Sequence, residues 1–236
     1  MANFWDSSHF RVLSSYSEVN ASNPKELEAG WTSVEIRKSK IEYVQYISQL
    51  GRSAKLRQRV IATAAVYFRR FYLLQSYVDC DPRLVAPTCL YLASKAEEST
   101  LQARHVVQAI KKVRKEAAFH FEVKEILEME MLLVEELASC MAVFHPYRPL
   151  QMMLTDCGLQ DKLKDAWALV NDAYLTELIL VHAPHMIAAA VVYIMGTTQG
   201  KDMDTWLPAL KVDIDEVSEL VVKARVSAHP GKFHVI

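Results

Sequence analysis

Two ionic side chains fall on helix faces that are otherwise apolar, and they are where chemistry is first to be sought in this 236-residue chain. Leu84, Thr88, Leu92 and Lys95 share one helical stripe, so Lys95 prolongs an apolar face. Ile126, Leu133, Val134 and Leu137 line a second face, and Glu130 stands among them, four residues after Ile126 and four before Val134. Burying an unpaired ammonium or carboxylate is costly, so each needs a partner. Two readings stay open. The two groups pair and hold helices together, or they form the polar centre of an apolar surface that receives another protein.

Other reactive side chains are less promising. His182 and His185 flank Pro184 at a predicted turn, and the intervening proline spoils a helical pair of metal ligands. Glu97-Glu98 and Glu135-Glu136 are adjacent pairs that point in different directions, poor material for an acid/base couple. No G-x-x-x-x-G-K-[ST], G-x-G-x-x-G or G-x-S-x-G occurs. Cys80, Cys89, Cys140 and Cys157 show no C-x-x-C spacing and read as reduced, packed thiols. No catalytic residue, metal or cofactor is expected. Arg52, Lys55, Arg57 and Arg59 form a basic cluster that suits local docking, while Lys111, Lys112, Arg114 and Lys115 read as a solvated helix face. With 27 basic against 28 acidic residues, the net charge of -1 argues against a chain that lives on phosphate contacts.

The elements that must position Lys95 and Glu130 are helices. Glycine is scarce, 6 residues in 236, and no Asn-Gly, Asp-Gly or Gly-Gly pair is present to turn a tight hairpin. With 51% hydrophobic residues there is ample core, and an all-α chain of two domains follows. The periodicity predicts a short helix over Asn3–Leu13, then Val34–Leu50, Leu56–Tyr77, Pro82–Glu98, Leu101–Lys115 and Phe121–Ala138. After a break at Phe144–Pro149 it predicts Leu150–Cys157, Asp161–Val181, Pro184–Thr197, Met203–Leu210 and Ile214–Ala228. A shift of 102 residues lays Pro82-Arg83-Leu84-Val85-Ala86 over Pro184-His185-Met186-Ile187-Ala188, and Tyr72 over Tyr174. Both copies begin with proline at the first turn and run on almost wholly apolar, as a helix buried on all sides does. One central helix wrapped by four others, twice over, is the simplest architecture. Met1–Asn20 lacks the apolar core of a signal peptide, and the longest apolar run, Met186–Met195, is about half of what spans a bilayer, so no membrane role is expected.

Ala93-Ser94-Lys95-Ala96-Glu97-Glu98, followed by Ile126-Leu127-Glu128-Met129-Glu130, resembles the cyclin box. Asn3-Phe4-Trp5-Asp6-Ser7-Ser8-His9, Tyr67-Phe68-Arg69-Arg70-Phe71-Tyr72, Phe144-His145-Pro146-Tyr147-Arg148-Pro149-Leu150 and Val170-Asn171-Asp172 are similar, in order, to the Mediator-associated branch of the cyclin family. The resemblance implies two tandem five-helix cyclin boxes with a short N-terminal helix. The corresponding segments are 1–33 for the N-terminal helix and linker, 34–143 and 144–228 for the boxes, and 229–236 for a short tail. It implies a non-catalytic, nuclear regulatory subunit that binds and activates a cyclin-dependent kinase of the Mediator kinase module and thereby regulates RNA polymerase II transcription. Other subunits of that module are implied partners, with no direct nucleic-acid contact. Lys95 and Glu130 match the pair that grips the kinase, and Glu98 an acidic position that holds kinase arginines. Phe4 and Trp5 match a family-specific kinase or Mediator contact, and Trp167 and Asn171 a groove for Mediator-type partners.

The sequence also departs from the family. Cell-cycle cyclins carry an apolar docking patch on the first box helix, where this chain has Ser39-Lys40-Ile41-Glu42-Tyr43, too charged for that role. The loop between Lys115 and Phe121 differs from better-known members. A rival reading is a twin-box, DNA-binding general transcription factor, since such factors share the fold. Near-neutral charge and the Lys95/Glu130 pair argue against it, and salt-sensitive duplex binding in an electrophoretic shift assay would favour it.

Overall fold

Short polar residues and prolines open most of the early helices. In the computed structural model, which describes residues 3–203, 205–210, 216–217 and 219–220, Ser7 caps α1 (Ser8–Arg11) and a Ser15/Glu18 capping box starts α2 (Tyr16–Asn20). Asn23 and Pro24 start α3 (Pro24–Glu28), and a Thr32/Glu35 capping box starts α4 (Ser33–Ser53). Next come α5 (Gln58–Leu74), α6 (Pro82–Ala96), α7 (Ala103–Val113) and α8 (Val123–Glu136). The second series is α9 (Tyr147–Asp156), α10 (Leu163–Ala173), α11 (Leu178–Val181), α12 (Pro184–Thr198) and α13 (Trp206–Ala209). The chain divides into two compact units, residues 1–143 and 144–236. No strand occurs among the described residues, and no helix among them is long and apolar enough to cross a membrane.

The first unit is built around α6, which packs against α4, α5, α7 and α8. Val85, Ala86, Cys89, Leu90 and Ala93 of α6 are sealed from solvent. Asp81 caps its start by accepting from the Arg83 N–H, with Pro82 in the first turn where its missing N–H costs nothing. Tyr67 of α5 donates its hydroxyl to the Met141 carbonyl at 2.5 Å, tying α5 to the chain beyond α8. Arg114 closes the far end of α7 by stacking over the rings of Tyr46 and Phe119, and Phe119 belongs to a 3₁₀ turn, Ala117–Phe119, inside the unfamiliar 115–121 loop.

Gly51 shows how closely α4 and α5 approach. Glycine inside a helix gives up about 1 kcal/mol of helix propensity relative to alanine, yet a Cβ built on Gly51, in the last turn of α4, would clash with Cγ1 of buried Ile61. Gly51→Ala is therefore expected to destabilise the chain by about 1–3 kcal/mol, the range for overpacking a tight core. Chemical denaturation followed by circular dichroism checks this, and an unchanged or raised midpoint would show that α5 can move aside.

In the second unit α12 holds the corresponding place. Ala188, Ala189 and Val192 have no exposure, and the helix packs against α9, α10 and α11. Several element boundaries differ from the sequence expectation. Helix α1 is one turn rather than Asn3–Leu13, because Ser7 is its cap and residues 4–7 form a turn closed by the Ser7 N–H on the Phe4 carbonyl at 3.0 Å. Helices α2 and α3, five residues each, are too short to show a period. Helix α9 begins at Tyr147, so Pro149 lies in its first turn rather than in the break. The single helix expected over Asp161–Val181 is three pieces: a 3₁₀ turn at Gln160–Lys162, α10, and α11. Thr176 makes the second interruption, turning its hydroxyl back onto the Ala173 carbonyl at 2.7 Å and accepting from the Leu178 N–H. Helix α13 is the middle of the expected Met203–Leu210. The helix expected over Ile214–Ala228 lies largely outside the described residues.

Candidate functional site

Lys95 sits in the last turn of α6, where a cation also meets the negative end of the helix. Its ammonium lies 4.5 Å above the ring of Tyr91, one turn back, and pairs with the Glu130 carboxylate of α8. The Glu130 side chain is 10% exposed and that of Lys95 39%, so one partner is largely desolvated and the other reaches the surface. The pairing that the apolar stripes require is present. The second reading, an interface centre, depends on what surrounds it.

The surroundings are apolar and open. Val123, Leu127 and Met131 recur every four residues along α8 and are 38%, 41% and 73% exposed. Ile126 and Leu133, on the opposite side, are fully buried. The outward stripe was not singled out from the sequence, although its signal was there: α8 is apolar on more than the one face its own unit needs.

The end of α6 is shaped by the residues next to Lys95. The Glu98 N–H bonds to the Lys95 carbonyl at 3.2 Å and the Ser99 N–H to the Ser94 carbonyl at 2.8 Å, the two bonds of a Schellman stop. That stop puts its pivotal residue in the left-handed region, and the position is occupied by glutamate at φ +53° where glycine is usual. Glu98 is exposed there. Buried Ser94 donates to the Tyr91 carbonyl and accepts from the Leu101 N–H, turning the chain toward α7. Glu97 points inward. It accepts from the Thr63 hydroxyl at 2.7 Å and pairs with Arg59 Nε at 2.6 Å, clamping the end of α6 to α5. The adjacent carboxylates do diverge, as their spacing requires, and Glu97 is a positioning residue that the sequence reading passed over. The same contact draws Arg59 out of the basic cluster around residues 52–59.

The structure thus brings Lys95 and Glu130 together and sets Glu98 at the same helix end. Phe4 and Trp5 gather instead with His9 and Phe10 in an aromatic knot, the Phe4 ring 5.4 Å from Trp5, 5.4 Å from His9 and 5.7 Å from Phe10. His9 is buried in it, while Trp5 remains 54% exposed. Trp167 and Asn171 lie on α10 in the second unit and share one partner. Tyr147 stacks on Trp167 at 4.5 Å and donates its hydroxyl to Asn171 Oδ1 at 2.8 Å. His182 is buried with Nδ1 2.6 Å from Glu216 Oε1, and burial holds the His185 imidazole below its ordinary pKa.

Comparison with known proteins agrees with this geometry. Residues 13–142 match the family "Cyclin, N-terminal domain". Cyclin-C1-1 of Oryza sativa subsp. japonica is 48% identical over 93% of this chain and 86% of its own length. Cyclin-C of Rattus norvegicus is 39% identical over 93% of this chain and 80% of its own. Among solved structures, a chain in the CAK complex of Chaetomium thermophilum superposes with a TM-score of 0.76 at 19% identity, covering 97% of this chain and 79% of that one. A chain in the yeast TFIIK complex gives 0.72 at 21% identity, covering 94% and 98%. Those two likenesses establish the twin-box fold; the sequence relatives go further, and by them the chain belongs to the cyclin family, in its cyclin C branch.

Proposed function

We propose that this chain is the regulatory subunit of a cyclin-dependent kinase in the Mediator kinase module, acting in the nucleus on RNA polymerase II transcription. Catalysis belongs to the kinase. The observation that carries this reading is the Lys95–Glu130 pair, its carboxylate largely desolvated and its ammonium at the surface, beside the exposed stripe Val123, Leu127 and Met131. Interfaces put apolar anchors around a few shielded charges, and a face built this way gains most from being covered. Membership of the cyclin family supports a kinase as the partner that would cover it. Glu98, exposed at the end of α6, offers its carboxylate to kinase arginines, a charge-assisted and potentially bidentate contact. Such a contact does part of the work of an activating phosphate. The test is affinity purification of the tagged full chain, followed by addition of the purified chain to the kinase that co-purifies. A kinase whose activity does not rise would overturn the proposal.

Two outlying clusters serve further contacts in this proposal. Trp167 and Asn171, oriented by Tyr147, face Mediator-type partners, and Phe4 and Trp5 add a kinase or Mediator contact. Trp5 is the sharper test, because an aromatic ring more than half exposed adds little to the free fold but much to an interface core. Trp5→Ala is expected to leave the melting temperature nearly unchanged and to weaken kinase or Mediator binding about tenfold or more. Undiminished binding, read by surface plasmon resonance, would assign the knot to the fold alone.

A further inference from the structure

A cavity of about 320 Å³ opens in the first unit, walled by the N-terminal segment, the last turn of α5 and the end of α8. Leu73, Leu74 and Leu137 supply apolar wall, and Arg70, Glu18 and Glu136 the charged part. Arg70 is the anomaly. It is 7% exposed, and none of its Nε, Nη1 and Nη2 atoms has a hydrogen-bond partner. A guanidinium brings five donors, and a buried cation without acceptors works against folding. Burial pulls its pKa down to about 10 and no further, so it remains a cation at neutral pH. Neither wall carboxylate relieves it. Glu18 is held in the α2 capping box, accepting from the Ser15 N–H at 2.6 Å and the Ser15 hydroxyl at 2.9 Å. Glu136 lines the cavity without bonding Arg70.

We infer that this cavity is a binding site for a small monocarboxylate carried on an apolar body, with Arg70 as its anchor. The volume falls in the range of small-ligand pockets, which are usually lined by apolar side chains with a few polar groups among them. A planar guanidinium accepts a carboxylate through two parallel hydrogen bonds. Glu18 and Glu136 in the same wall repel any anion, a dianionic phosphate about twice as strongly as a monocarboxylate, which favours the monoanion of the two. Bulk water does not reach the Arg70 nitrogens, so the incoming carboxylate displaces a wall side chain, and Leu74, 61% exposed, is the freest.

Octanoate is the probe, with octanamide and octyl phosphate as matched controls, titrated by calorimetry and thermal shift against the full chain and Arg70→Met. The wild-type chain is expected to bind octanoate at least about tenfold more tightly than either control. Arg70→Met removes an unpaired buried charge and keeps the stem, so it should melt no lower than wild type while losing the preference for octanoate. Leu74→Trp, which fills the cavity and leaves Arg70 in place, should block octanoate. Equal binding of octanamide, tighter binding of octyl phosphate, or no octanoate binding would each overturn the proposal. So would an Arg70→Met chain that melts well below wild type or does not fold, since Arg70 would then be structural.

Discussion

A chain carrying Lys95→Glu is expected to fold and to lose its kinase. In the free protein the reversal leaves Glu130, whose side chain is 10% exposed, without its cation and facing a like charge. Lys95 is 39% exposed, so solvent screens part of that repulsion and the new carboxylate can turn outward. The stability loss then falls between the values for exposed and buried pairs, about 1–3 kcal/mol. Where the kinase covers the site, as proposed, the escape to solvent closes and the repulsion acts at a low dielectric. Truncating one member of such an interfacial pair costs about 2–5 kcal/mol, roughly 30- to 5,000-fold in affinity, and reversal costs at least as much. Melting temperature and kinase activation measured side by side separate the two roles. A destabilised chain whose folded fraction still activates the kinase normally would make the pair purely structural.

Much of the scaffold beneath this site could be read from residue order alone. The proline-started, wholly apolar stretches at 82 and 184 stand out because a helix buried on all sides has no polar face to hide its pattern. They are α6 and α12, each packed against several neighbours of its own unit. The largest boundary error, over Asp161–Val181, has a local cause. Residues 174–177 interrupt the helix expected over Asp161–Val181, yet Leu178, Ile179 and Leu180 beyond them are buried and keep the apolar period running through the break. The break comes from one hydroxyl bonded locally at Thr176, a competition between side chain and backbone that periodicity does not register.

The site was legible where it violated a pattern and illegible where it obeyed one. Lys95 and Glu130 are charges on apolar stripes, and the structure pairs them. Val123, Leu127 and Met131 are apolar residues in a helix, and only their exposure makes them informative. Arg70 sits in a run of aromatic and apolar residues with Arg69 beside it, and sequence gives no sign that its guanidinium ends without an acceptor. The anchoring role of Glu97 leaves no local signal in the sequence, because its partners, Thr63 and Arg59, lie more than thirty residues away.

Glu97 and Glu98 are expected to part company on mutation, although they are neighbours of the same type. Glu97→Ala removes the acceptor of the Thr63 hydroxyl, which has no solvent exposure, and the partner of Arg59. Losing a hydrogen bond to a charged group costs about 1.5–3 kcal/mol, so this variant should melt lower, and kinase activation should fall only as far as the end of α6 loosens. Glu98→Gly should do the reverse. At φ +53° glutamate pays a left-handed strain of about 1–2 kcal/mol that glycine does not, offset in part by the larger entropy glycine loses on folding. The variant is therefore expected to be as stable as wild type or slightly more so, while its kinase activation drops about tenfold for want of the carboxylate. Function held in a strained residue, at the expense of stability, is the pattern this outcome would show. Undiminished activation by Glu98→Gly would mean that the exposed carboxylate holds no kinase arginine, and that glutamate at this turn serves nothing on the kinase.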